Sequence, residues 1–530
     1  MAPPLSVSKS WQAPFFGKSS AYAGGRDPIG LQATSVATYT RLLPGITNVT
    51  NRIRYWSFYC WLVQLYSKKI HRTGRRRFVD FVRRGEFTLA VAIEVAASEE
   101  RSVSGKDKAR RAAQHLPLDL SKFADSSVRS GNRYWKNESG AFGQYYAGVL
   151  TDLGLLEKNE YGIYVCTDKD LHEKFAINLE VSGTELAAAF REAIGAETES
   201  RFFAAIENGV VSEAELQFFG ERMTLSNIQP NSAEWNLMQK VLTGNDLPGR
   251  RLKALDSFFR LGTIQLLLQF RQLHPERDIH DLPFWLEERE GLGPDGHPSE
   301  VAFGWFYYAV NEHWHIANEL IFKAFLDRLH QFDFSRMASF IKEFTEEITR
   351  QAMAISQSTE GITAQQWQVL AKDKESANEE AGCCVTEAVQ GFEAVLDLHA
   401  KYQARLDSFI LFGQRLGIER SGDFGHGLRL VGEHLHRPLD EFVEWYLMRQ
   451  VVNRHLFVAM DKLASSGVNT QKFKLEDGIL YFIKNISVGN TNPRLQQLGL
   501  FLRDLKILDE KYLPTELATH FLEPQKSTHR

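Results

Sequence analysis

Basic side chains suited to phosphate contacts are concentrated near the start of this 530-residue sequence. Residues 1–150 contain 23 Lys and Arg but only 10 Asp and Glu, a balance of +13, whereas the remainder carries −17. Lys and Arg held on rigid helices neutralise phosphates and release counterions, which gives affinity without reading base sequence. The candidate nucleic-acid-binding residues are Arg52, Arg54, Lys68, Lys69, Arg72, Arg75, Arg76, Arg77, Arg83, Arg84, Arg110 and Arg111.

This charge asymmetry leaves two interpretations open. A basic third favours an anionic partner, and we expect nucleic acid, in particular DNA bound independently of its sequence. In the alternative, the basic third docks on the acidic remainder of its own chain or on an acidic protein, and the chain is an interaction scaffold without nucleic-acid contact.

The segment Phe142–Leu153, which would be the recognition helix of a DNA-reading module, contains neither Lys nor Arg. Base edges in the major groove are normally read by Arg, Lys, Asn or Gln, and in this segment only Gln144 qualifies. A winged-helix-like module here would therefore bind protein, so we also expect a protein partner.

Histidines provide one grouping with metal-binding character. His434 and His436 are two residues apart, so they cannot share one face of a helix, and no H-E-x-x-H motif is present. An extended segment could still bring the two together, which leaves a metal site as an alternative. We predict no metal and no other cofactor. The group comprises His426, Glu433, His434, His436 and His455.

No enzyme class is indicated by the remaining motifs. Asp477 precedes a strand that reaches Lys484, as in metal-dependent nucleases, but Phe482 occupies the position of the metal-binding Glu. A hard cation needs oxygen ligands, so only a divergent nuclease or hydrolase would remain. Gly17-Lys18-Ser19 lacks the first glycine of a phosphate loop, and no G-x-S-x-G is found. We therefore expect a non-catalytic adaptor or sensor that works with an enzyme encoded elsewhere.

The four cysteines, Cys60, Cys166, Cys383 and Cys384, show no C-x-x-C spacing. They predict reduced thiols in a cytoplasmic protein. The first 20 residues lack the apolar core of a signal peptide, and no apolar run is long enough to span a bilayer. We therefore expect no membrane partner.

Apolar periodicity predicts a mainly α-helical, multi-domain chain with short β-hairpins near 156–166 and 472–483 and no large sheet. A helix is expected at Asp168–Ala176, after the first hairpin. The first helix is expected to begin near Thr47 or Thr50, to end near Arg72 and to be buried, because its middle is apolar nearly all round. Residues 376–415 read as one long helix. The predicted segments are an extended leader (1–45), a basic helical domain (46–180), a helical domain (181–375), and a long helix followed by a hairpin domain (376–530).

An internal echo supports winged-helix-like modules near residues 140–177 and 472–521. Val149-Leu-Thr-Asp-Leu-Gly-Leu-Leu-Glu resembles Phe501-Leu-Arg-Asp-Leu-Lys-Ile-Leu-Asp, and each is followed by Thr and an acidic residue. Chance similarity between two amphipathic helix ends is the alternative.

The stretch Leu42-Leu-Pro-Gly-Ile-Thr-Asn-Val-Thr-Asn-Arg-Ile-Arg-Tyr-Trp-Ser-Phe-Tyr-Cys-Trp resembles the opening of uncharacterised bacterial proteins in which a P-G turn and R-x-R-Y precede an aromatic helix. Such proteins are found in gene clusters for defence against phage and mobile DNA. The resemblance covers about 25 residues and implies a role in antiviral defence, but no activity.

Overall fold

The computed structural model describes residues 27–70, 74–96, 100, 103–129, 131–168, 179–245, 253–356, 361–371, 384–418 and 423–522. Across these residues the chain is mainly helical, with a few short antiparallel strand pairs, which confirms the predicted fold class. No helix among them is both long enough and apolar enough to cross a membrane.

The α-helices of the described residues are numbered in chain order. They are α1 (Gln32–Leu42), α2 (Tyr55–Lys69), α3 (Arg75–Val95), α4 (Lys106–Ala112), α5 (Ala147–Asp152), α6 (Gly183–Ile194), α7 (Ala196–Asn208), α8 (Glu213–Arg222), α9 (Ala233–Gly244), α10 (Lys253–Leu273), α11 (Leu282–Glu288), α12 (Glu300–His330), α13 (Met337–Ile355), α14 (Ala364–Ala371), α15 (Cys384–Tyr402), α16 (Leu406–Leu416), α17 (Phe424–His434), α18 (Leu439–Tyr446), α19 (Asn453–Ser466), α20 (Leu495–Asp504) and α21 (Thr519–Leu522). Single π-helical turns, Phe142–Tyr146 and Leu447–Val452, precede α5 and α19.

The strands are short and form three antiparallel sheets in the described part of the chain. They are β1 (Leu118–Asp119), β2 (Leu156–Lys158), β3 (Tyr164–Cys166), β4 (Val210–Val211), β5 (Phe334–Arg336), β6 (Phe473–Glu476) and β7 (Ile479–Phe482).

Two compact units make up the chain, and neither is continuous in sequence. Unit 1 consists of the described residues of 1–37 together with 307–491, and unit 2 consists of the described residues of 38–306 and 492–530. These boundaries differ from the four predicted segments. Because α1 and α12 each contain residues of both units, no composition change or loop marks the boundary there.

Helix α2 forms the centre of unit 2. Every residue from Tyr55 to Tyr66 is buried, as expected for a helix that is apolar on all sides. The predicted start at Thr47 or Thr50 is wrong by several residues. The two threonine hydroxyls lie 3.1 Å apart and hydrogen-bond to each other, so they close a turn ahead of the helix instead of capping it.

Helix α12 carries a row of buried polar side chains into unit 1. Burial raises the pKa of Glu319 to about 8 and lowers that of His315 to about 4, so both groups are neutral near pH 7. The neutral forms of these side chains suit a protein interior, where they hydrogen-bond to amides, hydroxyls and main-chain groups. The polar row comprises Asn311, Glu312, His315, Asn318 and Glu319.

Residues 376–415 do not form one helix in the part that the structure describes. Helix α15 ends at Tyr402, a 3-10 turn follows, and α16 begins at Leu406. Tyr402 has φ −116° and ψ 0°, and Arg405 repeats these angles closely, which breaks the helical geometry twice. The heptad pattern therefore continues across two packed helices, since apolar spacing does not report a local bend.

The predicted hairpin near 472–483 is present as β6 and β7. Asp477 and Gly478 join the strands with φ +48° and +75°, which is the conformation that Asp-Gly favours in tight hairpins. Strand β5 adds to the free edge of β7 and was not predicted, because three residues directly ahead of a helix give no alternating pattern.

The echo between the two ends of the chain is matched by equivalent main-chain hydrogen bonds in unit 2. After α5, Leu155 N donates to Leu150 O, and after α20, Ile507 N donates to Leu502 O, both at 2.8 Å. At the end of each turn, the N–H and hydroxyl of one threonine bond back to two neighbouring carbonyls. Thr167 does so to Leu155 and Gly154, and Thr515 does so to Ile507 and Lys506.

The tips of these two hairpins are equivalent as well. The Asn159 side chain accepts N–H groups two and four residues ahead, at 3.0 Å each. Asp509 does the same at 2.8 Å. The two sequences therefore adopt the same turn, with longer arms in the first copy. The helix predicted at Asp168–Ala176 lies almost wholly outside the described residues.

Gly45 provides a test of the turn that precedes α2. Its φ is +77°, and an added Cβ would lie 2.7 Å from Leu153 Cδ2, at the start of the first hairpin. Gly45→Ala should destabilise unit 2 by about 2–4 kcal/mol, from backbone strain and overpacking together. Thermal unfolding followed by circular dichroism measures the effect.

Gly296→Ala is the matched control, because Gly296 has φ +80° but a Cβ there would meet nothing within 4 Å. It should cost only the strain, about 1–2 kcal/mol. Equal losses for both variants would show that the Leu153 contact is unimportant.

Candidate nucleic-acid interface

The candidate basic residues belong to unit 2 and lie on α2, α3, α4 and the segment ahead of α2. Helix α3 has apolar residues on the side facing its neighbours, and Gly74 precedes its first turn. The structure separates the candidates into three groups according to burial. Arg72 lies outside the described residues.

Arg52 and Arg54 lie in the interior, with 8% and 2% of their surface exposed. Arg54 forms a bidentate ion pair with Glu234, with N–O distances of 3.1 and 3.0 Å. Arg52 Nε lies 3.0 Å from a carboxylate oxygen of Asp504. Buried arginines with buried carboxylate partners cannot contact phosphate in this conformation, so both residues act in the fold.

Arg83 is fully buried and pairs with no carboxylate directly. Its guanidinium donates to main-chain carbonyls, among them Asn137 O at 2.8 Å, and lies 5.8 Å from the Tyr134 ring centre. Burial lowers the pKa of Arg83, although the nearby Glu86 acts against this. Arg83 therefore fastens a loop onto α3 and is absent from the surface.

Glu86, one turn from Arg83, was not singled out in the sequence. Its carboxylate accepts the N–H groups of Ala141 (3.0 Å) and Phe142 (2.9 Å) and the hydroxyl of Tyr59 (3.0 Å). Gly140 permits this approach, since a Cβ there would lie 1.8 Å from a Glu86 oxygen. Burial raises the pKa of Glu86 to about 7. The sequence offered one signal for Glu86, because it is a charged residue on a helical face whose other positions are mainly apolar.

A second group of candidates is partly exposed and pairs with acidic residues. Arg77 contacts Glu207 at 2.6 Å, Arg84 contacts Asp125 at 2.6 Å, and Arg110 contacts Glu94 at 2.9 Å. Of these partners, only Glu207 lies beyond residue 150. The Arg110 pair is largely exposed and therefore weak, whereas the Arg77 and Arg84 pairs are more enclosed, and all three reduce the local positive field.

The third group remains exposed on both sides of the α2–α3 connection. Lys68 and Lys69 end α2, and Arg75 and Arg76 begin α3. Among the described residues, no carboxylate pairs with Lys69 or Arg75, and Arg76 lies 4.0 Å from Asp80 while 75% exposed. These four residues are called the basic turn below. Arg111 on α4 is also exposed.

The start of α3 adds to the positive potential of the basic turn. Three arginines occupy its first turn, no acidic residue does, and Gly74 provides no side-chain cap. Free N–H groups at a helix N-terminus attract anions, whereas basic residues there are unfavourable without one. The basic side chains and the free N–H groups at the start of α3 are therefore both suited to bind phosphate groups.

The histidine group does not come together as a metal site. His434 stacks on Trp445 with ring centres 3.8 Å apart. His455 is buried, bonded to Pro28 O and to the Lys472 N–H, both at 2.9 Å, and burial lowers its pKa to about 4. Within the described ranges, no three His, Cys, Asp or Glu side chains could hold a metal ion. Gly17-Lys18-Ser19 lies outside those ranges.

Comparison with known proteins identified no relative: no protein-family model, no curated protein sequence and no solved structure matches this chain.

The raised pKa of Glu86 predicts a pH-dependent stability. Its folded-state pKa of about 7 exceeds the ordinary 4.5, so the folded state binds more protons between these values. The contribution of Glu86 is therefore fully present below about pH 4.5 and is lost as pH rises through 7, by roughly 3 kcal/mol at most.

Melting temperatures of wild type and Glu86→Gln, measured from pH 5 to pH 8, isolate this effect from other titrating groups. Wild type should lose stability relative to the variant as pH rises. Parallel curves would mean that Glu86 does not titrate in this range.

Proposed function

We propose that this chain binds the phosphate backbone of nucleic acid, in particular DNA, through the basic turn. The single observation behind the proposal is the exposure of Lys68, Lys69, Arg75 and Arg76 in one short stretch of unit 2. Each could displace condensed counterions from a phosphate, so binding would be salt-dependent and insensitive to base sequence.

This proposal uses fewer residues than the +13 charge balance suggested. Arg52, Arg54 and Arg83 are buried, and Arg77, Arg84 and Arg110 are held by carboxylates. Exposed charge, and not total charge, determines the field that a phosphate meets. Among the candidate residues, the basic turn is the exposed group that lies close together in sequence, and Arg110 and Arg111 on α4 are outlying contributors.

We further propose that the chain acts as an adaptor or sensor without chemistry of its own, in antiviral defence and in the cytoplasm. The role in defence rests on the Pro44–Tyr55 resemblance alone. The helix–hairpin modules that end at Thr167 and Thr515 are interpreted as winged-helix-like, and the first has no basic residue on its helix. Such a module would present its surface to protein, which would recruit the partner enzyme.

An interaction scaffold without nucleic-acid contact is the second candidate. Two observations favour it. The pairs of Arg52, Arg54 and Arg77 with acidic residues beyond 150 account for part of the charge asymmetry inside unit 2. In unit 1, Phe457 and Met460 are 65% and 61% exposed one turn apart on α19, where apolar side chains could contact a protein partner.

The triple variant Lys69→Ala, Arg75→Ala, Arg76→Ala should bind double-stranded DNA more weakly than wild type for every sequence tested. Loss of three phosphate contacts should reduce the slope of log K against log salt by about 2–3. A fluorescence-anisotropy titration over a salt series measures both quantities.

A matched control removes one arginine and two lysines at exposed positions on helices of unit 1: Lys342→Ala, Arg350→Ala, Lys401→Ala. It changes net charge equally and should leave the slope unchanged. If both variants lose the same affinity, only net charge matters and the basic turn is not a site. If wild type fails to bind at low salt, the scaffold is the better description.

A further inference from the structure

Two cysteines that are far apart in sequence lie together in unit 2. Cys60 is in the middle of α2, and Cys166 is the last residue of β3. The Cys166 thiol donates to the main-chain oxygen of Cys60, with an Sγ–O distance of 3.1 Å. Both are free thiols in this structure. The Cys166 sulfur thus lies against the main chain of Cys60, and a disulfide would form if it moved into bonding distance of the Cys60 sulfur.

The two thiols differ in their access to solvent. Cys60 is fully buried among the aromatic residues of α2, and burial raises the pKa of its thiol well above the usual range. Cys166 is half-buried on a hairpin arm. A dissolved oxidant therefore reaches Cys166 first, while Cys60 is held in contact behind it.

The second hairpin shows that a cysteine is not needed to build this turn. Its arm pairs Leu508 with Pro514, where the first hairpin pairs Leu156 with Cys166. The threonine that follows makes the same bonds in both. The thiol pair is thus a particular feature of the first hairpin and not a requirement of its conformation.

We propose that Cys60 and Cys166 form an oxidation site for hydroperoxides, in which Cys166 reacts and Cys60 resolves. In the first step the Cys166 sulfur attacks the peroxide, the O–O bond breaks, and Cys166 becomes a sulfenic acid with release of water or an alcohol. In the second step the Cys60 sulfur displaces hydroxide, which leaves as water with the thiol proton. Two thiols are oxidised and one peroxide is reduced.

The bond would tie α2 to the hairpin and close a long loop, which restricts the unfolded chain. The oxidised protein should therefore melt at a higher temperature than the reduced protein. A dithiol reductant should reverse the change. This site is independent of the basic turn, so its test does not rely on DNA binding.

The test treats the full-length Cys383→Ser, Cys384→Ser chain with substoichiometric to equimolar hydrogen peroxide, then alkylates free thiols and maps peptides without reduction. The expected result is one cross-linked peptide pair containing Cys60 and Cys166, in most chains, with loss of two hydrogen atoms. Removing the two other cysteines excludes exchange through them.

Single variants in this background separate the roles of the two thiols. Cys60→Ser should leave Cys166 as a sulfenic acid that a cyclic diketone traps, whereas Cys166→Ser should leave Cys60 unoxidised. Mapping of the Cys383→Ser, Cys384→Ser chain is decisive even if a further variant folds poorly. Oxidation of Cys166 with Cys60 still alkylated after denaturation would overturn the proposal, as would no oxidation of either thiol at peroxide levels that oxidise a free surface cysteine.

Discussion

Complete burial of helix α2 is the constraint on which unit 2 depends. From Tyr55 to Tyr66 the helix has no solvent-facing side, so polar groups near it depend on partners inside the protein. At its start, Glu234 receives the Arg54 guanidinium and also the Ser57 hydroxyl, at 2.6 Å. One buried carboxylate thus satisfies the first turn of the helix and connects it to α9.

The same requirement explains why so much basic charge near the start of the chain is absent from the surface. Arg52 lies directly before α2 and is held by Asp504. The Arg83 guanidinium donates to the carbonyls of a loop. A direct carboxylate partner would instead have placed a second charge beside it in the interior. A buried guanidinium with several acceptors can fix several segments at once because its donors form a rigid fork. The charge balance of the region is therefore partly a consequence of how its core is assembled.

The fold could be predicted from the sequence where local patterns are sufficient. Asp477-Gly478 between apolar runs led to the β6–β7 hairpin, and the aromatic run led to a buried α2. Interruptions such as Tyr402 depend on angles that apolar spacing does not encode. The division into units was also beyond local analysis, since α12 belongs to both.

For the candidate site, composition pointed to the basic region but could not separate buried from exposed arginines. The motif Arg52-Ile-Arg54-Tyr55 did contain a relevant pattern, because charges directly before an aromatic helix have little access to water. Arg83 and Glu86 likewise share the apolar face of α3 at a spacing of three. In contrast, Arg75 and Arg76 follow a glycine and precede the first apolar residue, which is the context of an exposed helix end.

The two equivalent hairpins show which features of this module are structural and which are free to vary. Both copies have a side chain at the tip that accepts main-chain N–H groups, Asn159 in the first and Asp509 in the second. Both also have the threonine at the end of the turn. The main-chain oxygen at the start of each junction also accepts a hydrogen bond from a side chain. Leu153 O accepts from the Asn245 amide and Leu505 O accepts from the Trp235 indole, and the two donors lie at opposite ends of α9.

Arm length and the remaining side chains differ between the copies, with no effect on the turn. Anchoring at α9 therefore rests on one main-chain oxygen of each copy, which accepts from a side chain at an end of that helix. The side chains of the arms can therefore differ between the two copies. One such difference is Cys166 in the first arm, where the second arm has Pro514.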